Sequence, residues 1–373
     1  MVDFINKIAN FNLPLCPPPV ETAFFGGIRH PSVYIWDGWV YAEERKISLY
    51  ALATPRAFYL DFGLDALRDR DHLPHHWRRF ISEDGGKTWQ DCGAVLLPRT
   101  GTGLFDSRSV WTGSVLKHGG RYLAAYTGIR DTGCETQPKL QALGLAASED
   151  GSGFSPLSEE ALLCPLRDYD AIRDAGYYLG PKETLGNDDG EEGGAILAWR
   201  DPYLVAEDGA GDTGLHMFWS AKSSLRRPQE AVIGQALIKD PFGRPQAELL
   251  PPVFLPDSEQ FTQAEVPQLL RSEESGRYVM AVSTTNKTAD LQPEALRMTL
   301  HFYTAPHLDG AWTALNQYDL TAQRRYPGIL FGLEKQADGS TAALWNAPYD
   351  GTAPEESRYT LPAEMEKIMI FEN

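Results

Sequence analysis

One unit recurs five times along this 373-residue chain. It is an apolar strand, a hairpin with a Gly- or Asp-rich turn, then further short strands. The first copy starts at Val33 and runs through the turn at 82–89. The second combines 110–128 with 140–151, the third 197–222 with 231–240, and the fourth 263–285 with 297–306; the fifth is 326–347. A unit this small cannot bury its apolar faces alone, so copies must pack on one another. Many short strands separated by turns restrict the fold to an all-β sandwich, barrel or propeller.

Two turns select the propeller. "SEDGGKTW" (82–89) fits the Ser-x-Asp-x-Gly-x-Thr-Trp hairpin called an Asp box, which recurs in propeller blades. Asp and Gly make the tight turn and Trp packs beneath it. "SEDGSGF" (148–154) is a degraded second copy. The expected architecture is therefore a five-bladed β-propeller over residues 31–373, with four strands per blade around a central funnel. Residues 1–30, rich in Pro, form an N-terminal extension packed on it. Short helices are expected at 156–163, around 168–174 and near 362–368.

The net charge of −17 disfavours nucleic acid or an anionic membrane as partner and favours a neutral or cationic small ligand. Cys16, Cys92, Cys134 and Cys164 are far apart, without metal-ligand spacing, and read as reduced thiols. No stretch reaches the about 18 apolar residues of a membrane span, and the N-terminus lacks the basic-then-apolar pattern of a signal peptide. The expectation is a cytoplasmic protein; the sequence leaves its oligomeric state open.

The chemistry sits on the innermost strands. Asp37 lies between Trp36 and Trp39 in "IWDGW", and burying a lone carboxylate is costly unless it is paired or functional. Asp201 and Glu265 open the inner strands of the third and fourth units. Three blades would thus deliver three carboxylates to one axial pocket, where like charges shift one another's pKa values. Glu265, beside Val266 and Pro267, is the expected proton-holding acid. His72, His75 and His76, split by Pro74, fit no helical metal motif and are expected in a loop on the pocket rim. The run at 187–194 reads as a solvated acidic loop rather than a calcium site.

"IWDGW" (35–39), "WTGS" (111–114), "WRDP" (199–202) and "QAEVPQL" (263–269) occur in the order seen in the levansucrase and β-fructofuranosidase clan of glycosidases. The chain resembles that clan over roughly 30–350. The WDxW form, with "HHWRRF" (75–80) before the Asp box, resembles the levansucrase type more than the invertases. The resemblance implies a retaining glycosidase or fructosyltransferase. Asp37 would be the nucleophile, Asp201 the residue that binds sugar hydroxyls and stabilises the transition state, and Glu265 the general acid/base. Trp36 and Trp111 would wall the sugar, Thr112 would hydrogen-bond the nucleophile, and Arg200 would bind the sugar or the acid. No metal or other cofactor is implied. Two positions depart from the family: Thr112 replaces the usual Ser, and Val266 the usual Arg of levansucrases. The expected partner is a neutral carbohydrate, sucrose-like or a related oligosaccharide.

Two other readings use the same fold. Inverting five-bladed glycosidases of arabinose or xylose linkages also carry two Asp and one Glu on such strands; WDxW favours the fructosyl reading. A non-catalytic glycan-binding propeller would not need all three acids.

Overall fold

The computed structural model describes residues 20–24, 27–30, 32–43, 46–55, 75–101, 103–133, 139–187, 197–207, 214–272, 275–288, 291–322, 325–326, 328–337, 340–347, 360–362 and 365–370. Five antiparallel sheets are its blades. Blade one is β3 (Val33–Glu43), β4 (Lys46–Pro55), β5 (His76–Ser82) and β6 (Gln90–Leu96). Blade two is β7 (Ser109–His118), β8 (Arg121–Ile129), β9 (Gln141–Ser148) and β10 (Ser155–Pro156). Blade three is β11 (Arg200–Ala206), β12 (Leu215–Ser223), β13 (Glu230–Lys239) and β14 (Gln246–Val253). Blade four is β15 (Gln263–Arg271), β16 (Tyr278–Thr285), β17 (Met298–Ala305) and β18 (Thr313–Asp319). Blade five is β19 (Ile329–Lys335), β20 (Thr341–Asn346) and β22 (Glu366–Ile370), three strands among the described residues. A small separate sheet joins β1 (Val20–Phe24) and β2 (Gly27–Arg29) to β21 (Thr360–Pro362).

The ring closes through its inner strands: β7 lies against β3 and β11, β15 against β11 and β19, and β19 against β3. Five apolar clusters fill the five gaps between blades. The gap between blades five and one, for example, holds Val33, Ile35, Leu49, Phe80 and Ile329. Alternate side chains on each strand face one neighbouring blade or the other, so the strands read as nearly continuous apolar runs. Gly38 of the first motif is required by this closure. A Cβ there would meet Ile329 Cδ1 at 2.9 Å.

Both Asp-box turns form. In the first, Gly86 N–H donates to Ser82 Oγ (2.7 Å) and Thr88 N–H to Asp84 Oδ1 (2.9 Å), and Trp89 is buried. In the second, Gly151 N–H donates to Ser148 Oγ (2.9 Å) and Ser152 N–H to Asp150 Oδ1 (2.8 Å). Phe154 takes the place of the Trp and packs on Tyr50 and Trp77 across the blade gap.

Of the expected helices, one forms: α1 (Tyr169–Asp174). The segment 156–163 is not helical. Its amides at Leu157, Leu162 and Leu163 donate to carbonyls of Leu145 and Leu143 on β9, so pairing with a sheet edge overrides local propensity. The third expected helix is also replaced. Residues 366–370 form β22 on β20, with Ile368 and Ile370 buried at alternate positions. The Glu, Met and Lys of this segment favour a helix, but the open edge of blade five selects a strand.

Candidate active site

The site is built on a shared irregularity. Every innermost strand breaks register, and in the first four blades the break falls at or beside a candidate site residue. Trp36 and Asp37 stand opposite one residue of β4, between the pairs Ile35↔Ala53 and Gly38↔Ala51. Thr112 is the extra residue between Trp111↔Thr127 and Gly113↔Tyr126. Asp201 and Pro202 bulge between Arg200↔Ser220 and Tyr203↔Phe218, and Val266 and Pro267 between Glu265↔Ser283 and Gln268↔Ala281. In β19 the break falls at Phe331. A bulge re-aims side chains that a regular strand would bury in the blade gaps. It also tolerates Pro202 and Pro267, which have no N–H to give the ladder. Gly113 lets the second bulge close: a Cβ there would lie 2.0 Å from the Ala125 carbonyl oxygen.

Asp37 accepts a hydrogen bond from Thr112 Oγ1 at 2.5 Å, from blade two to blade one. Arg200 donates to Glu265 Oε1 through Nε, at 3.1 Å, and through Nη2. Its Nε also lies 3.9 Å from Asp201 Oδ2. Asp201 Oδ2 accepts from Ser220 Oγ (2.8 Å) and from the Val266 amide (3.2 Å), while its own amide donates to Thr127 Oγ1 (2.9 Å). That hydroxyl in turn donates to the Thr112 carbonyl at 3.1 Å. The structure thus joins Asp37, Thr112, Arg200, Asp201 and Glu265 in one network across four blades.

The electrostatics single out a second carboxyl beside Glu265. Glu265 was set among apolar neighbours as the proton-holding acid. In the structure it receives two strong donors, Arg200 on Oε1 and the Tyr326 hydroxyl on Oε2. The group pushed towards keeping a proton is Asp201, raised to about 7 by burial, with Glu265 and Asp37 adding to the shift and Arg200 and Ser220 opposing it. Carboxylates this close titrate together, so the proton belongs to the cluster.

Trp36 and Trp111 are buried on the inner strands, next to Asp37 and Thr112. The Trp36 indole N–H donates to Thr54 Oγ1 (3.2 Å), which shares a hydrogen bond with His75 Nδ1, and the His75 ring meets Trp36 edge-on at 5.5 Å. His75 and His76 are therefore not on a rim loop. Both are buried at the start of β5, where burial lowers His76 to about 3. His72, and the acidic run from 188 onward, lie outside the described residues. Cys92 and Cys164 are free thiols.

Three contributors escaped the sequence reading. Tyr326 closes over Glu265 from the start of unit five; in the sequence it stands in "YPG" (326–328), before a Pro as Asp201 and Val266 do. Ser220 is one polar residue in an apolar run. Lys222, fully buried on β12, donates to the Thr262 carbonyl near the base of β15. Burial and Arg200 lower it to about 8 against the pull of Glu265.

Residues 56–178 match the family described as "Glycosyl hydrolases family 32 N-terminal domain". A comparison with curated proteins finds no match in sequence. Among solved structures, an inulosucrase from Halalkalicoccus jeotgali bound to kestose is 17% identical with a TM-score of 0.58, covering 99% of this chain and 91% of its own. A sucrose-6-phosphate hydrolase from Lactobacillus gasseri is 14% identical (TM-score 0.57), covering 98% of this chain and 63% of its own. A Bombyx mori family 32 β-fructofuranosidase in complex with sucrose is 16% identical (TM-score 0.53), covering 98% and 66%. These likenesses establish the fold. The family match spans the two outer strands of blade one, β5 and β6, and all of blade two, but neither β4 nor the strand that carries the first motif.

Proposed function

We propose that this chain, at the level of family a fructosidase- or fructosyltransferase-type propeller, cleaves a neutral fructofuranoside with retention through a covalent intermediate on Asp37. The observation that carries the reading is the 2.5 Å bond from Thr112 to Asp37, set in a network where Arg200 spans Asp201 and Glu265. A nucleophilic carboxylate must stay ionised, and a hydroxyl donor favours that form. Glycoside cleavage with retention needs this carboxylate and a second one that gives and then takes a proton.

In the first step Asp37 attacks the anomeric carbon of the fructosyl ring. The bond to the leaving oxygen breaks, and Glu265 passes that oxygen the proton shared by the carboxylate cluster. In the second step a water or sugar hydroxyl loses its proton to Glu265 and attacks the same carbon, releasing Asp37. Asp201 has one oxygen occupied by Ser220 and Val266, and the other is left for sugar hydroxyls. Arg200 and Tyr326 orient the Glu265 carboxyl. Trp36 and Trp111 supply apolar walls for the ring.

Val266 cannot supply the guanidinium that levansucrases place after the acid. Loss of a charge-assisted contact costs about 1.5–3 kcal/mol, enough to change the leaving group or acceptor. The chemistry is fructosyl transfer or hydrolysis with short products or an unusual fructoside rather than long levan. A −17 protein with its acids in the funnel also selects against sugar phosphates. The test is incubation with sucrose, raffinose, inulin and levan oligosaccharides, with products separated by chromatography. Release of fructose or short fructosyl products supports the reading. Release of arabinose or xylose from their glycans, with no action on any fructoside, overturns it.

A further inference from the structure

A cavity lies on blade four. Its volume is about 330 Å³, within the usual range for small-molecule sites. Gln260, Asn286, Arg297, Thr299, Gln317 and Asp319 supply most of its polar lining, and Phe261 contributes an aromatic ring. None of these residues belongs to the catalytic network.

Its place in the sheet is informative. Glu265 sits near the start of β15, whose first residue, Gln263, pairs with Thr285. Thr285 Oγ1 donates to Gln263 Oε1 at 2.6 Å. Thr285 pairs onward with Met298, and the adjacent Thr299 pairs with Asp319. The cavity therefore occupies the same end of blade four as the catalytic carboxylate. From β15 to β17 is two strand spacings, roughly 10 Å. A saccharide that keeps one unit on the catalytic residues needs further units to cross that gap.

The lining specifies a class of ligand. Amides and hydroxyls that donate and accept suit sugar hydroxyls. Asp319 is lowered mainly by hydrogen bonds from Thr321, whose N–H donates to Oδ1 at 2.8 Å, and in smaller part by Arg297; Arg297 and Asp319 carry opposite charges, so together they bring no net charge to the cavity. Gln317 is exposed on β18 and lines the cavity with both a donor and an acceptor. An anion would meet Asp319 and a cation Arg297; a neutral polyol meets neither penalty.

We propose that this cavity is a remote saccharide subsite that holds the distal units of a neutral fructo-oligosaccharide whose terminal unit is in the funnel. The proposal rests on the fructosyl reading for its ligand, and it makes the enzyme selective for chain length. Blade four then contributes both the acid/base and the grip on the chain.

The experiment measures binding and turnover separately. Nystose, a fructo-oligosaccharide of four units, and sucrose are titrated calorimetrically into the full chain carrying Asp37→Ala, so that neither is consumed. The titration is repeated with Gln317→Ala and with Arg297→Ala added. Nystose affinity is expected to fall about tenfold in each added variant, the loss of one or two hydrogen bonds, while sucrose affinity is unchanged. In the enzyme with Asp37 intact, both variants are expected to raise KM for nystose without altering kcat/KM for sucrose. Equal affinity for nystose with and without the added variants overturns the subsite, as does affinity of the Asp37→Ala protein alone no greater for nystose than for sucrose. Failure to turn over any fructoside overturns the fructosyl reading instead, and is read from the wild-type enzyme alone.

Discussion

The Val266 amide donates to Asp201 Oδ2 at 3.2 Å, and both residues hold left-handed backbone, with φ of 49° and 61°. Each precedes a proline inside a bulge. A β-branched residue in this region costs of order 1–3 kcal/mol and persists only where its surroundings enforce it. Here the strain turns the Val266 N–H away from its own ladder and onto the carboxylate of the neighbouring blade. Blades three and four are thereby tied together at the acid cluster.

Burial of Asp201 makes stability depend on pH. Its folded pKa of about 7 exceeds the ordinary value of 3.8. The folded state therefore keeps a proton that the unfolded chain has released, and stability falls as pH rises from about 4 to about 7. The slope from this one group is at most about 1.4 kcal/mol per pH unit. Asp201→Asn keeps the acceptor for Ser220 and Val266 and removes the titration. The difference in Tm between variant and wild type should widen in favour of the variant from pH 4 to pH 7, then level off. A constant difference across that range would show that Asp201 is not held protonated.

The Thr112 hydroxyl is expected to act on rate rather than on folding. Thr112→Val keeps the shape and removes the donor to Asp37. A hydrogen bond to a charged group is worth about 1.5–3 kcal/mol, so kcat should fall about ten- to a hundredfold. Thermal unfolding should shift little. Thr112→Ser, which restores the donor, should recover most of the rate.

Glu265 is tested through the leaving group. Glu265→Gln cannot protonate a departing oxygen, so it should be severely impaired on sucrose and much less so on an aryl fructoside, whose leaving group needs little protonation. Equal loss on both substrates would remove Glu265 from the acid role.

The Asp-box turn between β5 and β6 contributes stability away from the inner strands. Asp84 accepts from Thr88 N–H and Oγ1 and from Ser82 Oγ, which lowers it to about 2. Asp84 is exposed, so its charge is screened and the turn geometry carries most of the effect. Asp84→Ala should cost about 1 kcal/mol in urea unfolding and leave kcat unchanged.

The sequence carried the blades because each inner strand begins with an apolar run. It pointed to the candidate site because Asp37, Asp201 and Glu265 interrupt those runs where a carboxylate is costly. Tyr326 was not legible, since a tyrosine before a proline looks like any turn until the ring closes it over Glu265. The protonation of the cluster was also hidden. Val266 and Pro267 beside Glu265 suggested an apolar setting, but Arg200 and Tyr326 reach it from other blades, and Asp201 takes the burial penalty. β22 was missed because its helix-favouring residues carry no sign of the open sheet edge that receives them.

The central claim is that Asp37 becomes covalently bound to the sugar. The Glu265→Gln variant, supplied with an aryl fructoside, should form the intermediate with little acid assistance and release it slowly. Mass spectrometry of the digested protein is expected to find one fructosyl group on the peptide containing Asp37, and none when Asp37→Ala is added. Turnover to product of inverted configuration, with no sugar on that peptide, would contradict the account.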